Sequence, residues 1–81
     1  MLEFSTLSDI FGRGAWPMIK EMDGVEVTDV DANNRSCSLF LNGREYEVKR
    51  DHHHKWHAMA TKYWLDFDSQ WELLAWIGDR L

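Results

Sequence analysis

Residues 36–49 read Ser36-Cys37-Ser38-Leu39-Phe40-Leu41-Asn42-Gly43-Arg44-Glu45-Tyr46-Glu47-Val48-Lys49, and their reading decides the fold. Two alternating runs flank Asn-Gly, the dipeptide that best supplies the two left-handed residues of a type I′ hairpin turn. A loop of two residues fixes the register. It sets Leu41 opposite Arg44, Leu39 opposite Tyr46 and Cys37 opposite Val48 on one side of the ribbon. Ser36 with Lys49, Ser38 with Glu47 and Phe40 with Glu45 share the other side. A slip of one residue would turn Leu39, Tyr46 and Val48 into water together, so the first side must face the core.

Upstream, Val25, Val27 and Val30 mark a preceding strand. Their spacing slips from two to three, which predicts a bulge near Thr28 and Asp29. Asn33-Asn34 then turns the chain, because Asn accepts the left-handed region. Phe4, Leu7, Ile10 and Phe11 form a helical stripe over about residues 5–12, with Ser5 or Ser8 as N-cap. Gly12-Arg13-Gly14 interrupts it, and Pro17 suits the first turn of a second helical piece at 17–22, closed by Asp23-Gly24.

Downstream, residues 51–67 fit two periods. Trp56, Ala60, Tyr63 and Phe67 make a helical stripe, while His57, Met59, Thr61, Tyr63, Leu65 and Phe67 alternate as a strand. Ser69-Gln70-Trp71-Glu72 is a capping box, which starts a helix and favours a strand leading into it over at least residues 61–67. That final helix covers about 70–80. Leu73, Leu74, Ile77 and Leu81 form its apolar face with Trp71 at the edge, and Trp76 falls on the polar side, where it is expected to be exposed. The result is a single domain over residues 1–81 of the α+β class. Its three- to four-stranded antiparallel meander packs against an interrupted N-terminal helix and a C-terminal helix.

Composition bounds the rest. Eighty-one residues build one modest core. A lone cysteine forms no internal disulfide and suits a reducing compartment. The first residues carry an acid where a signal peptide carries bases, and no run approaches the roughly 18 apolar residues of a membrane span, so a cytoplasmic location is expected. The net charge of −5 is uneven: residues 1–34 and 63–81 are acidic, while 35–62 hold six bases against three acids.

The candidate chemical constellations are thin. Histidines 52, 53, 54 and 57 suggest zinc, but neighbouring side chains diverge in strand and helix alike. On a helix His53 and His57 would share a face and give two ligands, fewer than a site needs. No metal or other cofactor is therefore expected, and the histidines are kept as a metal- or pH-responsive alternative. Asp29-Val-Asp31-Ala-Asn33-Asn34 imitates a calcium loop, yet Asn34 stands where Gly is required and Phe40 where Glu is required. Cys37, mid-strand opposite Val48, is a small apolar residue rather than a nucleophile. Nucleophile, base and pocket are not assembled, and no enzymatic activity is expected.

Binding is the stronger reading. Glu21, Asp23, Glu26, Asp29 and Asp31 follow one another with no base between Lys20 and Arg35. Asp23, Glu26, Asp29 and Asp31 would steer a basic partner, and Trp64 and Trp76, with Trp16 and Trp56 as further candidates, would anchor it. Exposed aromatics would serve a homodimer equally. The alternative is a single-stranded nucleic-acid module, in which Arg44, Lys49, Arg50 and Lys55 follow phosphates and Trp56, Trp64 and Phe40 stack on bases. The net acidity, and Glu45 and Glu47 within the basic stretch, oppose it.

In size, acidity, aromatic content and lack of catalytic apparatus, the chain resembles small phage-encoded inhibitors of bacterial defence, the anti-CRISPR proteins among them. The resemblance is one of overall style, with no shared motif and no site residue to carry over. It implies stoichiometric inhibition of a larger nucleoprotein complex in the host cytoplasm.

Overall fold

The computed structural model describes the backbone of residues 2–60 and 62–81 and the side chains of 6–59 and 62–81. Helices α1 (Leu2–Phe11) and α2 (Trp16–Ile19) precede strands β1 (Val25–Asp31), β2 (Ser36–Leu41), β3 (Arg44–Arg50), β4 (Trp56–Ala60) and β5 (Tyr63–Phe67), and α3 (Gln70–Asp79) closes the chain. The strands form one antiparallel meander in sequence order. The class is α+β as expected, with five strands in place of three or four.

The β2–β3 pairing is the one that Asn42-Gly43 imposes, from Leu41 opposite Arg44 to Ser36 opposite Lys49. Asn42 and Gly43 take φ values of 52° and 86°, as a type I′ turn requires. The bulge in β1 is also present: pairing with β2 jumps from Thr28–Ser38 to Asp31–Ser36, and Asp29 is left-handed at φ 53°. In the turn that follows, the left-handed residue is Arg35 (φ 50°) rather than either asparagine. The turn is closed by Asp31 instead, whose carboxylate accepts the backbone N–H groups of Asn33 at 3.1 Å and Asn34 at 3.2 Å.

The extra strand comes from residues 51–67. Within this stretch β4 and β5 pair antiparallel, with Ala60 opposite Tyr63. Thr61-Lys62 carries none of the Gly, Asn, Asp or Pro signals that mark turns, which is why the stretch reads as one strand. Thr61 itself, like the side chains of Phe4 and Ser5, lies outside the described residues.

One face of the sheet and all three helices share a single core. Ile10, Phe11, Trp16, Ile19, Leu73 and Ile77 from the helices meet Cys37, Leu39, Leu41, Tyr46, Val48, Trp56 and Ala58 from the strands. α1 ends at Gly12 (φ 106°), whose N–H returns to the Ser8 carbonyl at 2.8 Å. A side chain at Gly12 would collide with Gln70. The Gln70 amide oxygen accepts the N–H groups of Gly14 and Ala15, each at 2.9 Å, so the first residue of α3 ties down the interruption between α1 and α2. Pro17 stands in the first turn of α2, which ends at Ile19 rather than 22. Ser69 caps α3 by accepting the Glu72 N–H at 3.2 Å, while the Glu72 carboxylate reaches one residue further back than expected, to the Asp68 N–H at 2.9 Å. Among the described residues, no helix is long and apolar enough to cross a membrane.

The exposure expected for Trp76 is reversed. Its side chain is buried, with its ring edge-to-face with Tyr46 at 5.1 Å and 5.9 Å from Phe67. Leu73, Trp76, Ile77 and Arg80 follow i, i+3, i+4, i+7, and that stripe meets the sheet. Arg80 looked like the polar face, but its guanidinium lies 4.3 Å from the Trp76 ring centroid and covers it. Trp16 and Trp56 are buried as well, whereas Trp71 is 52% exposed.

Two adjacent positions test this two-sided sheet. Leu39→Ala is expected to lower unfolding free energy by about 2–5 kcal/mol, or to abolish cooperative unfolding of so small a domain. Phe40→Ala should cost much less. Urea unfolding followed by tryptophan fluorescence measures both, and equal losses would contradict the register.

Candidate functional site: the uncovered face of the sheet

The alternation that sends Leu39 and Val48 inward sends a second set of side chains outward. Ladder pairing aligns them in rows: Glu26, Phe40 and Glu45; Thr28, Ser38, Glu47, Met59 and Trp64; Asp31, Ser36, Lys49, His57 and Asp66. None of these side chains is buried, and among the described residues no helix covers this face. Phe40, Met59 and Trp64 are half-buried among polar neighbours, and the Lys49 ammonium sits 4.7 Å from the Trp64 ring centroid.

The β1 side of the face is acidic. Asp29, Asp31, Glu45 and Glu47 border an open depression of about 470 Å³ floored by Ser36, Ser38 and Met59. Carboxylates on both sides of β2 give a negative potential that attracts cations and repels polyanions. Of the acids expected to steer a partner, Asp29 and Asp31 border this depression, Glu26 lies on β1 in the row of Phe40 and Glu45, and Asp23 is exposed in the turn before β1. Their states differ. The Ser38 hydroxyl donates to Asp29 at a long 3.4 Å. Asp31 is occupied by its turn: the Asn34 side chain, with the backbone N–H groups of Asn34 and Asn33, holds its carboxyl below the usual carboxylate range. Trp64 shares the face at the opposite edge of the sheet. Trp76 does not belong to it and cannot anchor a partner there.

The four basic candidates are dispersed. Arg44 lies on the helix-covered side beside the Asn42-Gly43 turn, and Lys49 on the uncovered face. Arg50 is a tie to α1: its guanidinium donates to the Asp9 carbonyl at 2.9 Å and lies 4.3 Å from the Trp56 ring centroid. Lys55, in the β3–β4 loop, pairs with Asp68 at 3.4 Å. Arg35, Lys49 and Arg50 border a second depression of about 480 Å³, but Glu47 and Asp51 border it too. Of the expected stacking platforms, Trp56 is buried with its indole N–H given to the Ile10 carbonyl at 2.9 Å.

The histidines separate. His52, His53 and His54 are exposed in the β3–β4 loop, and His57 is on β4. The pairing of His53 with His57 expected on a helix is not formed. His57 instead sits between two carboxylates, its Nε2 at 2.8 Å from Asp51 and its Nδ1 at 2.7 Å from Asp66. Ring nitrogens on opposite edges cannot converge on one ion. Among the described residues, no group of three His, Cys, Asp or Glu could hold a metal. The Asp51 hydrogen bond, outweighing the cost of burial, and the Asp66 contact together raise the His57 pKa above its ordinary value. The His57 bond first, then the backbone N–H groups of Lys55 and His53, hold Asp51 well below the usual carboxylate range. Asp66 was not visible as part of a site from sequence. Once Ala60 is paired with Tyr63, Asp66 falls directly opposite His57.

Cys37 is buried, and burial, followed by the Glu47 charge, pushes its thiol up to about 12. It is poorly suited to nucleophilic chemistry.

Comparison of this chain with protein families, with curated proteins and with solved structures gave no match.

Because folded His57 holds its proton more tightly than the unfolded chain, its bridge contributes fully below about pH 6.5 and is lost as pH rises through the folded value. Asp51, with a depressed pKa, contributes above the ordinary carboxylate range and withdraws only in strong acid. The stability difference between wild type and His57→Gln should therefore be widest near pH 5–6, by this linkage, and shrink at alkaline pH. Urea unfolding across pH measures it; a difference that does not vary with pH would contradict the bridge.

Proposed function

We propose that this protein is a non-enzymatic, stoichiometric binding module whose uncovered sheet face docks on a basic surface of a larger protein or nucleoprotein complex. The observation that carries this reading is the face itself. It leaves a whole side of the sheet without helices, gathers four carboxylates around one depression and presents Phe40, Met59 and Trp64 as apolar patches within polar surroundings. Carboxylates around a phosphate-binding groove would compete with nucleic acid for the same cations, which is how such a module inhibits a nucleoprotein machine. The style of small phage-encoded inhibitors, including anti-CRISPR proteins, agrees with that mode of action. Steering by Glu26, Asp29 and Glu47 mainly accelerates association, and Trp64 slows dissociation. Direct binding of single-stranded nucleic acid is the less favoured reading, because Arg50 and Lys55 are engaged within the fold and Arg44 lies on the other side of the sheet.

The test is affinity capture from nuclease-treated bacterial lysate, with wild type beside a Glu26→Lys, Asp29→Lys, Glu47→Lys variant. The reading expects a protein retained in near-equimolar amount by the wild type, released by salt and lost from the variant. Retention by both chains would abandon this face. Trp64→Ala is expected to raise the off-rate of the captured complex about tenfold or more if Trp64 is a hot spot. A gel mobility shift with short oligonucleotides at moderate salt should show no complex; a shift would restore the nucleic-acid reading.

A further inference from the structure

His57 stands in the row that ends the uncovered face, and its two carboxylate partners come from different elements. Asp51 begins the β3–β4 loop, and Asp66 lies on the edge strand β5. A histidine bonded to a carboxylate through each nitrogen needs a proton on both. The neutral ring has one N–H and one lone pair, so it can satisfy only one carboxylate and repels the other at hydrogen-bond distance.

We propose that the Asp51–His57–Asp66 bridge is a proton-operated clamp, closed when His57 is charged and, on losing its proton, releasing Asp66 to make the docking face more acidic and more receptive to cations. This rests on the docking reading above and adds its regulation.

The choice of which carboxylate leaves follows from their other partners. One oxygen of Asp51 accepts the N–H groups of His53 at 2.8 Å and Lys55 at 3.0 Å while the second meets His57, so the loop holds it in place. The loop is held in turn from outside: Arg35 donates to the Asp51 carbonyl at 2.7 Å. The Asp66 side chain is 71% exposed, and among the described residues its carboxylate has no other hydrogen bond. It can rotate into water at little cost, and Asp51 cannot. The remaining charged group facing His57 is Lys49, its cross-strand neighbour on β3, whose ammonium is turned onto the Trp64 ring. Lys55, at the end of the same loop, is paired with Asp68 at 3.4 Å. Deprotonation thus removes one positive charge from the face and uncovers one carboxylate beside Trp64 and Lys49. The two changes have the same sign.

Two measurements on the full chain test this. The first is an NMR titration of the His57 ring nitrogens and the Asp66 side-chain carboxyl carbon. The clamp requires the Asp66 signal to move with the His57 midpoint, and that midpoint to fall in Asp66→Asn, a change at an exposed position that leaves the ladder intact. An Asp66 signal that ignores the His57 midpoint, or an unmoved midpoint in Asp66→Asn, overturns the clamp. The second is decalysine binding by calorimetry between pH 5.5 and 9, where the peptide serves as a cationic probe. Wild-type affinity should rise by about two- to fivefold more than that of His57→Gln, the scale of one or two exposed charges. His57→Gln keeps His52, His53 and His54, so whatever they contribute is common to both chains. Equal rises overturn the regulatory role. Decalysine bound at no pH overturns the docking reading, whereas the clamp is then judged by the NMR titration alone.

Discussion

A two-residue turn at Asn42-Gly43 is the constraint on which the remaining structure depends. With both residues left-handed, no third residue can enter the loop, so every pair from Leu41–Arg44 to Ser36–Lys49 is determined. The alternation then propagates outward. β1 takes its register from β2 and β4 from β3, so Val27, Leu39, Tyr46, Val48 and Ala58 must face the helices together. The uncovered face is the complement of the same decision. Its carboxylates, serines and half-buried apolar residues are placed by the turn as firmly as the core is.

Much of this was legible in the residues. The hairpin pairs, the bulge at Asp29, the break at Gly12 and the Ser69 cap each have a local cause of one or two side chains, and each was found where expected. Three features were not legible, for different physical reasons. The β4–β5 connection lacks turn residues, so the surrounding ladder rather than local propensity places it. The left-handed position in the 32–35 turn passes to Arg35 because Asp31 fixes the turn from its other end. Trp76 is buried because Arg80 can lie over an indole, and a helical wheel that scores arginine as polar cannot show that.

The candidate site divides along the same line. That Asp29 and Asp31 border one depression follows from their positions in a single strand with a bulge between Thr28 and Asp31. The bridge at His57 required the β4–β5 register, because its two partners are separated by a loop and a turn. A run of histidines draws attention to zinc, yet the one that is structurally engaged stands apart from the run and is engaged by carboxylates. The same geometry that removes His57 from metal chemistry makes it sensitive to protons. Asp31 shows the opposite distinction: it borders the acidic depression but is already committed to its own turn, so its charge contributes to the potential more than its oxygens can contribute to contacts.

The division of the sheet into a covered and an uncovered face is tested most directly by thiol labelling at neighbouring positions. Cys37 is the single cysteine of the chain, 2% exposed and facing the helices, while Ser38 faces outward. Under native conditions, Cys37 should react with an aromatic disulfide reagent only as fast as the protein opens. A Cys37→Ser, Ser38→Cys chain should react at the rate of an accessible thiol. Fast labelling of Cys37 in the folded wild type, with slow labelling at position 38, would mean that the register is shifted and the two faces exchanged.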